Sequence, residues 1–280
     1  MSRNISSVNR KSPLKWAGGK KRIVDEIKVN LPSTGKKRLI EPFVGGGSVF
    51  LNFEFDEYLL VDTNQDLINL FGFIKTQPDR FIKEAENFFI GNHNHPDFYY
   101  QLREQFNQST DPYERSLLFV YLNRHGYNGL CRYNKSGGFN VPFGRYKRPY
   151  FPREEFIEFS KVAQRASFVC GDFEQAFLAA GEHDVVYCDP PYSPINRTSN
   201  FTAYAGNKFT DDDQRRLVEC ALKAKQRGVS TLISNHFTDF TQELYAGADT
   251  LSLLSVQRNI SCKGSVRGKS KEVMALYSGS

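Results

Sequence analysis

Asp189-Pro190-Pro191-Tyr192 puts a carboxylate, a stiff turn and an aromatic ring within four residues, directly after the apolar run Val185-Val186-Tyr187-Cys188. That grouping suits one chemistry. An exocyclic amine on a nucleobase is a poor nucleophile because its lone pair is delocalised into the ring. The Asp189 carboxylate and the Pro190 carbonyl could accept the two amine hydrogens, draw the nitrogen towards tetrahedral geometry and aim its lone pair at a methyl donor. Tyr192 could stack on the face of a base taken out of its helix. A strand that merely ends in a proline turn would read the same over so short a motif.

A second constellation lies upstream. Glu41-Pro42-Phe43-Val44-Gly45-Gly46-Gly47-Ser48 follows a strand at 38–41, and a helix is expected to start near Ser48. This is the form of the first βα turn of a nucleotide-binding fold, where glycines let the backbone approach a cofactor. The turn lacks G-x-G-x-x-G spacing, which favours a nucleoside such as S-adenosylmethionine over a pyrophosphate cofactor. Tyr58-Leu59-Leu60-Val61 then ends in Asp62, roughly 20 residues on, where a carboxylate can hold both ribose hydroxyls. The competing fate for Asp62 is a helix N-cap. In Leu14-Lys15-Trp16-Ala17-Gly18-Gly19-Lys20, Trp16 could pack on an aromatic cofactor or anchor the N-terminal segment by burial.

The elements that must position these residues form an α/β pattern interrupted once. The continuous apolar run before Asp189 reads as a strand covered on both faces, ended by prolines that cannot donate to a ladder. Asp189 then sits at a carboxyl edge, where open sheets bind ligands. Residues 20–30 read as an amphipathic helix. From Leu67 to about Gln164 the pattern is mostly helical, with helices at 65–76, 78–90, 96–107, 111–124 and 152–165. Between the last two lies 125–150, rich in Gly, Asn, Tyr and Arg. A long unpatterned loop in a compact domain is usually functional, and rings interleaved with arginines suit bases and phosphates. Strand–helix alternation resumes with a strand at 167–170, then Gly171-Asp172-Phe173 and a helix at 173–180. A polar aromatic loop at 193–209 centres on Asn200–Tyr204. It leads to a helix at 210–227 capped by Thr210, and to strands at 230–234, 250–256 and 272–277. The expected division is a loose basic tail at 1–12, a catalytic domain of 13–74 and 165–280, and a helical domain at 75–164 bearing the loop 125–150.

The chain of 280 residues carries a net charge of +6, with 40% hydrophobic and 24% charged residues, an ordinary globular balance. The distribution of charge says more. Three segments hold bases and no acid: Met1–Val24, Cys131–Arg153 (Arg132, Lys135, Arg145, Lys147, Arg148, Arg153) and Leu251–Lys271 (Arg258, Lys263, Arg267, Lys269, Lys271). Such segments suit a phosphate-facing surface. The five cysteines, Cys131, Cys170, Cys188, Cys220 and Cys262, are odd in number and have no C-x-x-C pair. Reduced thiols in a cytoplasmic protein are the simple expectation. Nothing supports a metal site: His93 and His95 flank Asn94 in a polar loop with no second ligand pair nearby. The N-terminal residues are polar and basic without an apolar signal region. No apolar run approaches the ~20 residues of a membrane helix.

Taken together, these stretches resemble the Dam-type DNA adenine methyltransferases, which act on GATC. The resemblance covers nearly the whole chain beyond the first thirteen residues. It rests on LKWAGGK at 14–20, EPFVGGGSVF at 41–50, NRHGYNGLCRYN at 123–134, FNVPFGRYKRPYF at 139–151, VVYCDPPY at 185–192 and NFTAY at 200–204. It implies a class I, Rossmann-like methyltransferase sheet with an inserted helical target-recognition domain. By resemblance, Trp16, Lys20, Asp62, Asp172 and Asp189 belong to the S-adenosylmethionine site, with Glu41, Gly45 and Gly47 beside them, and Asp189, Pro190 and Tyr192 are catalytic. Lys15 and Arg132 would read the outer guanines, and Leu130 and Pro142 would touch the inner pairs. Tyr127 and Asn128 would wedge into the duplex, with Arg145 and Tyr146 also on DNA. Gly46 stands where relatives often have Ala, a departure expected to be harmless. Ser136–Gly138 and the C-terminal loop also differ, which leaves the phosphate contacts open.

The partner implied is duplex DNA containing GATC; no protein partner is implied. A DNA-binding module without chemistry is the alternative from another class, and the intact Asp-Pro-Pro-Tyr and glycine turn argue against it. Methylation of a protein glutamine would usually call for Asn in place of Asp189. Cytosine stays chemically open, because its exocyclic amine could use the same site; only the family resemblance selects adenine.

Overall fold

The computed structural model describes residues 9–91, 93–192, 209–257 and 269–279. Residues 1–8 of the tail expected at 1–12, the Asn200–Tyr204 loop and the basic loop with Arg258, Cys262, Lys263 and Arg267 lie outside these residues. After a 3-10 turn at Lys20–Ile23 come α1 (Val24–Asn30), β1 (Arg38–Glu41) and β2 (Glu57–Asp62). A helical stretch follows, with α2 (Gln65–Thr76), α3 (Pro78–Glu86), α4 (Pro96–Gln108), α5 (Pro112–His125) and α6 (Arg153–Ala163). The chain then alternates through β3 (Ala166–Cys170), α7 (Phe173–Leu178), β4 (Asp184–Cys188), α8 (Asp211–Gln226), β5 (Ser230–His236) and α9 (Asp239–Leu244), and closes with β6 (Thr250–Gln257) and β7 (Lys269–Tyr277).

One seven-stranded sheet runs in the order β3-β2-β1-β4-β5-β7-β6. The first five strands are parallel. β7 runs antiparallel between β5 and β6. This is the class I methyltransferase sheet with a helical insertion between β2 and β3. The strand order reverses between β1 and β4, so the crevice for a ligand opens at their carboxyl ends.

The two strand faces feed separate cores, as the period of two requires. Leu39, Leu60, Tyr187 and Leu232 pack with the inserted helices. Their neighbours Ile40, Val61, Val186 and Ile233 pack with α7 and α8. β4 is buried along its whole length, as its unbroken apolar run demands. The helices start where side chains satisfy their free N–H groups: Asn64 for α2, Asp111 for α5, Asp172 for α7 and a Thr210–Asp213 box for α8. α2 packs on β2 and β3 and also on α5 and α6, so it joins the sheet to the insertion.

Some expectations change. The helix near Ser48 is replaced by turns and a short 3-10 segment, Phe50–Asn52. Asn52 Nδ2 donates to the Ser48 carbonyl (2.8 Å) and the Arg10 carbonyl (3.0 Å), spending the side chain on closing the turn. The helix expected over 78–90 ends at Glu86 and passes into a 3-10 turn at Asn87–Phe89. α9, held by a Thr238–Thr241 capping box, was not anticipated. Among the described residues no helix is long and apolar enough to cross a membrane.

Candidate active site

Three carboxylates meet at the carboxyl edge of adjacent strands: Glu41 ends β1, Asp62 ends β2 and Asp189 follows β4. Asp189 is the most elaborately held. Its Oδ1 lies 2.8 Å from Lys20 Nζ and accepts from Ser234 Oγ at 3.2 Å. Ser234 is itself 2.9 Å from the Tyr187 hydroxyl. Burial pushes the Asp189 carboxyl above its ordinary value, while Lys20, Ser234 and Tyr192 pull it down. Lys20, expected at the cofactor, therefore has its ammonium on the Asp189 carboxylate, with a further bond to the Gly18 carbonyl at 2.9 Å.

The Pro-Pro turn is pinned from behind. Gln214 Nε2 donates to the Pro191 carbonyl (2.9 Å), and Asn235 Nδ2 donates to Gln214 Oε1 (3.1 Å) and to the Tyr245 hydroxyl (3.0 Å). Tyr192 donates to Glu272 Oε2 (3.1 Å). Its ring meets His236 edge-on at 4.6 Å between centroids, and Lys20 Nζ lies 4.4 Å above that ring. Ser234, His236 and Glu272 were missed in the sequence. Ser234 and His236 come from β5, which pairs with β4, and Glu272 from β7 on the far side of β5.

The glycine turn and Trp16 form one unit. A Cβ on Gly45 would fall 2.7 Å from Trp16 Nε1, and one on Gly46 2.7 Å from Trp16 Cβ. Trp16 is half-buried against this turn and packs the N-terminal segment onto it. An alanine at Gly46 would require Trp16 to shift, so the glycine present here suits this close packing. Asp62 Oδ2 accepts from Gly45 N–H and its Oδ1 from Asn64 N–H, both at 3.0 Å. Asp62 thus braces the turn without being the N-cap of α2, which is Asn64. Burial raises the Asp62 carboxyl, and the N–H groups of Asn64, Gly45 and Thr63 oppose it.

Glu41 is buried, and its Oε1 has no hydrogen-bond partner. Burial raises its carboxyl well above the ordinary range, with the Phe50 N–H working against that and the charge of Asp189 adding to it. An orphaned carboxylate oxygen, a braced glycine turn and a half-buried indole fit a cationic nucleoside cofactor. Asp172 lies just past β3, beside Asp62: the Gly171 N–H donates to the Asp62 carbonyl at 3.0 Å. Its carboxylate caps α7 through Glu174 N–H (2.9 Å) and pairs with Arg216 Nη2 (2.8 Å).

The remaining candidates cluster between the N-terminal loop and the insertion. Asn123, on α5, accepts from Lys15 N–H (2.9 Å) and donates to the carbonyls of Lys15 (2.7 Å) and Gly129 (3.2 Å). A Cβ on Gly129 would lie 2.2 Å from Lys15 Cβ, so this glycine allows the two segments to touch. Lys15 Nζ sits 3.8 Å over the Tyr146 ring and donates to the Arg124 carbonyl at 3.3 Å. Burial, then the neighbouring Arg124, lowers the Lys15 ammonium. Tyr127 and Asn128 project as exposed residues, Asn128 with φ of 54°. Pro142 and Arg145 are exposed or half-exposed at the loop surface, and Leu130 and Tyr146 are not fully buried. Arg132 is held across a hairpin, Nε to Asn140 Oδ1 (2.7 Å) and Nη2 to the Asn140 carbonyl (3.2 Å).

An α/β sheet with three carboxylates at its carboxyl edge and a helical insertion is the architecture expected of a methyltransferase. Residues 16–261 match the D12 class N6 adenine-specific DNA methyltransferases, and the chain belongs to that family. It is an adenine-specific DNA methyltransferase. It is 52% identical over 265 residues to the DNA adenine methylase of Vibrio cholerae, covering 94% of this chain and 95% of that one. Against the DNA adenine methylase of Escherichia coli K12 the identity is 50% over 264 residues, covering 94% of each chain. For the one from Haemophilus influenzae it is 51% over 266 residues, 94% of this chain and 92% of that one. Among solved structures, the methyltransferase domain of METTL16 aligns with a TM-score of 0.37 at 10% identity, over 92% of this chain and 80% of that one. A likeness that low adds nothing to the sheet order.

Proposed function

We propose that this enzyme transfers a methyl group from S-adenosylmethionine to the 6-amino group of adenine in duplex DNA, within GATC, after flipping the adenine into the Asp189–Tyr192 site. The observation that carries the reading is the meeting of Asp189, Pro190 and Tyr192 with Lys20 at the sheet edge where Glu41, Asp62 and the Trp16–glycine unit also converge.

Trp16, Glu41, the Gly45–Gly47 turn, Asp62 and Asp172 would hold the cofactor, which supplies an electrophilic methyl group on a sulfonium when bound. Asp189 and the Pro190 carbonyl accept the two amine hydrogens, and the pinned Pro-Pro turn keeps those acceptors fixed. Positioning and electrostatics then account for most of the acceleration. No base of tuned pKa is needed, because the methylated amine is cationic and gives up its proton to Asp189 or to water. Tyr192 offers a ring for the flipped base.

The helical insertion, residues 75–164, acts as the target-recognition domain. Its loop 125–150 brings Tyr127 and Asn128 out as wedges. Lys15 and Arg132 read the outer guanines, Leu130 and Pro142 contact the inner pairs, and Arg145 and Tyr146 touch DNA nearby.

The test is expression followed by methylation-sensitive digestion of plasmid DNA, with labelled cofactor to locate the modified base. Label on the adenine of GATC is expected. Label on cytosine, or on adenine without regard to sequence, would overturn the reading.

A further inference from the structure

The hairpin that carries Arg132 is fastened, on both sides of that arginine, to the first turn of α2. On one side Asn64 Nδ2 donates to Cys131 Sγ at 3.5 Å. On the other, the Tyr133 hydroxyl donates to Asp66 Oδ2 at 2.7 Å. Asp66 is buried and cannot turn, because Arg115 clasps it through Nε (2.7 Å) and Nη2 (2.8 Å). Arg115 is in turn anchored by the carbonyls of Phe106 and Ser109. Asn64 has two further ties: its Oδ1 caps α2 through the Leu67 N–H, and its own N–H donates to Asp62 Oδ1.

α2 directly follows β2, the strand that ends in Asp62. The hairpin therefore takes its register from the same turn of backbone that braces the candidate cofactor site. Its far strand is tied elsewhere, to α4, where Asn107 accepts from the Phe139 N–H (2.7 Å) and donates to the Phe139 carbonyl (3.2 Å). Burial raises the Tyr133 phenol, so the donor keeps its proton. A hydroxyl given to a clasped carboxylate is a charge-assisted bond, stronger and more directional than a neutral one.

We propose that Tyr133 and Asn64 are positioning residues for base recognition: by gripping the chain on either side of Arg132 they hold its guanidinium in register with the target base, so that discrimination at the outer pair depends on two side chains that never touch DNA. The proposal rests on the reading of Arg132 as a guanine contact.

Tyr133→Phe removes the hydroxyl and keeps the ring. Asn64→Ser keeps an oxygen to cap α2 but cannot reach Cys131. Single-turnover methylation is measured on GATC duplexes and on every single-base variant, for the wild type, both variants, Arg132→Ala and the Tyr133→Phe/Arg132→Ala double variant, with thermal melts of each. Both single variants should lose about fivefold or more of the discrimination at the pair that Arg132→Ala relaxes, while the other pairs keep theirs. In the Arg132→Ala background, Tyr133→Phe should cost no further discrimination. Equal loss at every pair, or losses that add in the double variant, overturns the proposal. Wild-type preference that survives both substitutions overturns this proposal alone. A wild type without preference at that pair overturns the reading of Arg132, and this proposal with it.

Discussion

The Lys20 ammonium touches both side chains proposed to engage the target base, at 2.8 Å from Asp189 Oδ1 and 4.4 Å above the Tyr192 ring. One cation thus opposes the effect of burial on the carboxylate and lies over the ring. Asp189 must be ionised to accept the amine hydrogens, and burial alone would keep it protonated to higher pH. Removing Lys20 strips away an opposing charge, so the carboxyl rises further. Lys20→Ala should move the acidic limb of the single-turnover rate upward in pH. Asp189→Ala should abolish transfer with DNA binding retained. An acidic limb unmoved in Lys20→Ala would show that Asp189 does not set it.

Asp62 carries a second prediction. Its two oxygens are engaged by the N–H groups of Gly45 and Asn64. Asp62→Ala should weaken S-adenosylmethionine binding by about 1–3 kcal/mol, the cost of losing a charge-assisted partner. DNA affinity without cofactor should change little. Calorimetry that finds cofactor affinity intact would confine Asp62 to bracing the turn.

Arg132 separates base reading from phosphate binding. Its fork can meet guanine O6 and N7 together. Arg132→Ala should cost about 1–3 kcal/mol on GATC and relax one outer pair. A phosphate contact would instead weaken every sequence alike and lower the salt slope by about one unit. Rates on GATC and its single-base variants at two salt concentrations decide between them.

His125 gives a stability prediction with a fixed sign. It is buried, stacked 3.9 Å from the Tyr121 ring, with Nδ1 3.0 Å from the Tyr121 carbonyl. Burial lowers its pKa to about 4. The unfolded chain therefore takes up the proton first. The contribution is full above the unfolded value near 6.5 and is lost as pH falls from there towards 4, by about 3 kcal/mol in all. Denaturant melts of wild type and His125→Phe at pH 7 and pH 4 should show a shallower pH dependence in the variant. Equal slopes would mean that His125 is not the titrating group.

What was legible in the sequence follows from how local each signal is. β4 and the turn after it are encoded by an unbroken apolar run and two prolines, so the residues themselves place Asp189 at a sheet edge. Asp62 was legible for the same reason, though its bracing of Gly45 was not. Lys15 and Arg132 owed their assignments to the family resemblance, since nothing in their spacing marks a base contact. Ser234, His236 and Glu272 lie far along the chain, Glu272 as much as 80 positions beyond Tyr192, and are ordinary residue types; the pairing of β5 with β4 brings the first two to the site, and the insertion of β7 beside β5 brings Glu272. The helix expected at Ser48 failed because Asn52 closes the turn first. α9 was missed because its capping box uses Thr241 where Glu or Gln is the usual signal.

The place of β7 also bears on how the enzyme is made. β7 lies between β5 and β6, and carries Glu272 to the Tyr192 hydroxyl. The strand synthesised last of the seven must slot between two made earlier. A chain still on the ribosome can pair β1 to β5, yet it lacks the wall that seats Tyr192. Pairing of this kind waits on distant segments and is slow to form. A chain cut short before β7 lacks the Glu272 partner of the Tyr192 hydroxyl and leaves β5 and β6 without the strand that joins them.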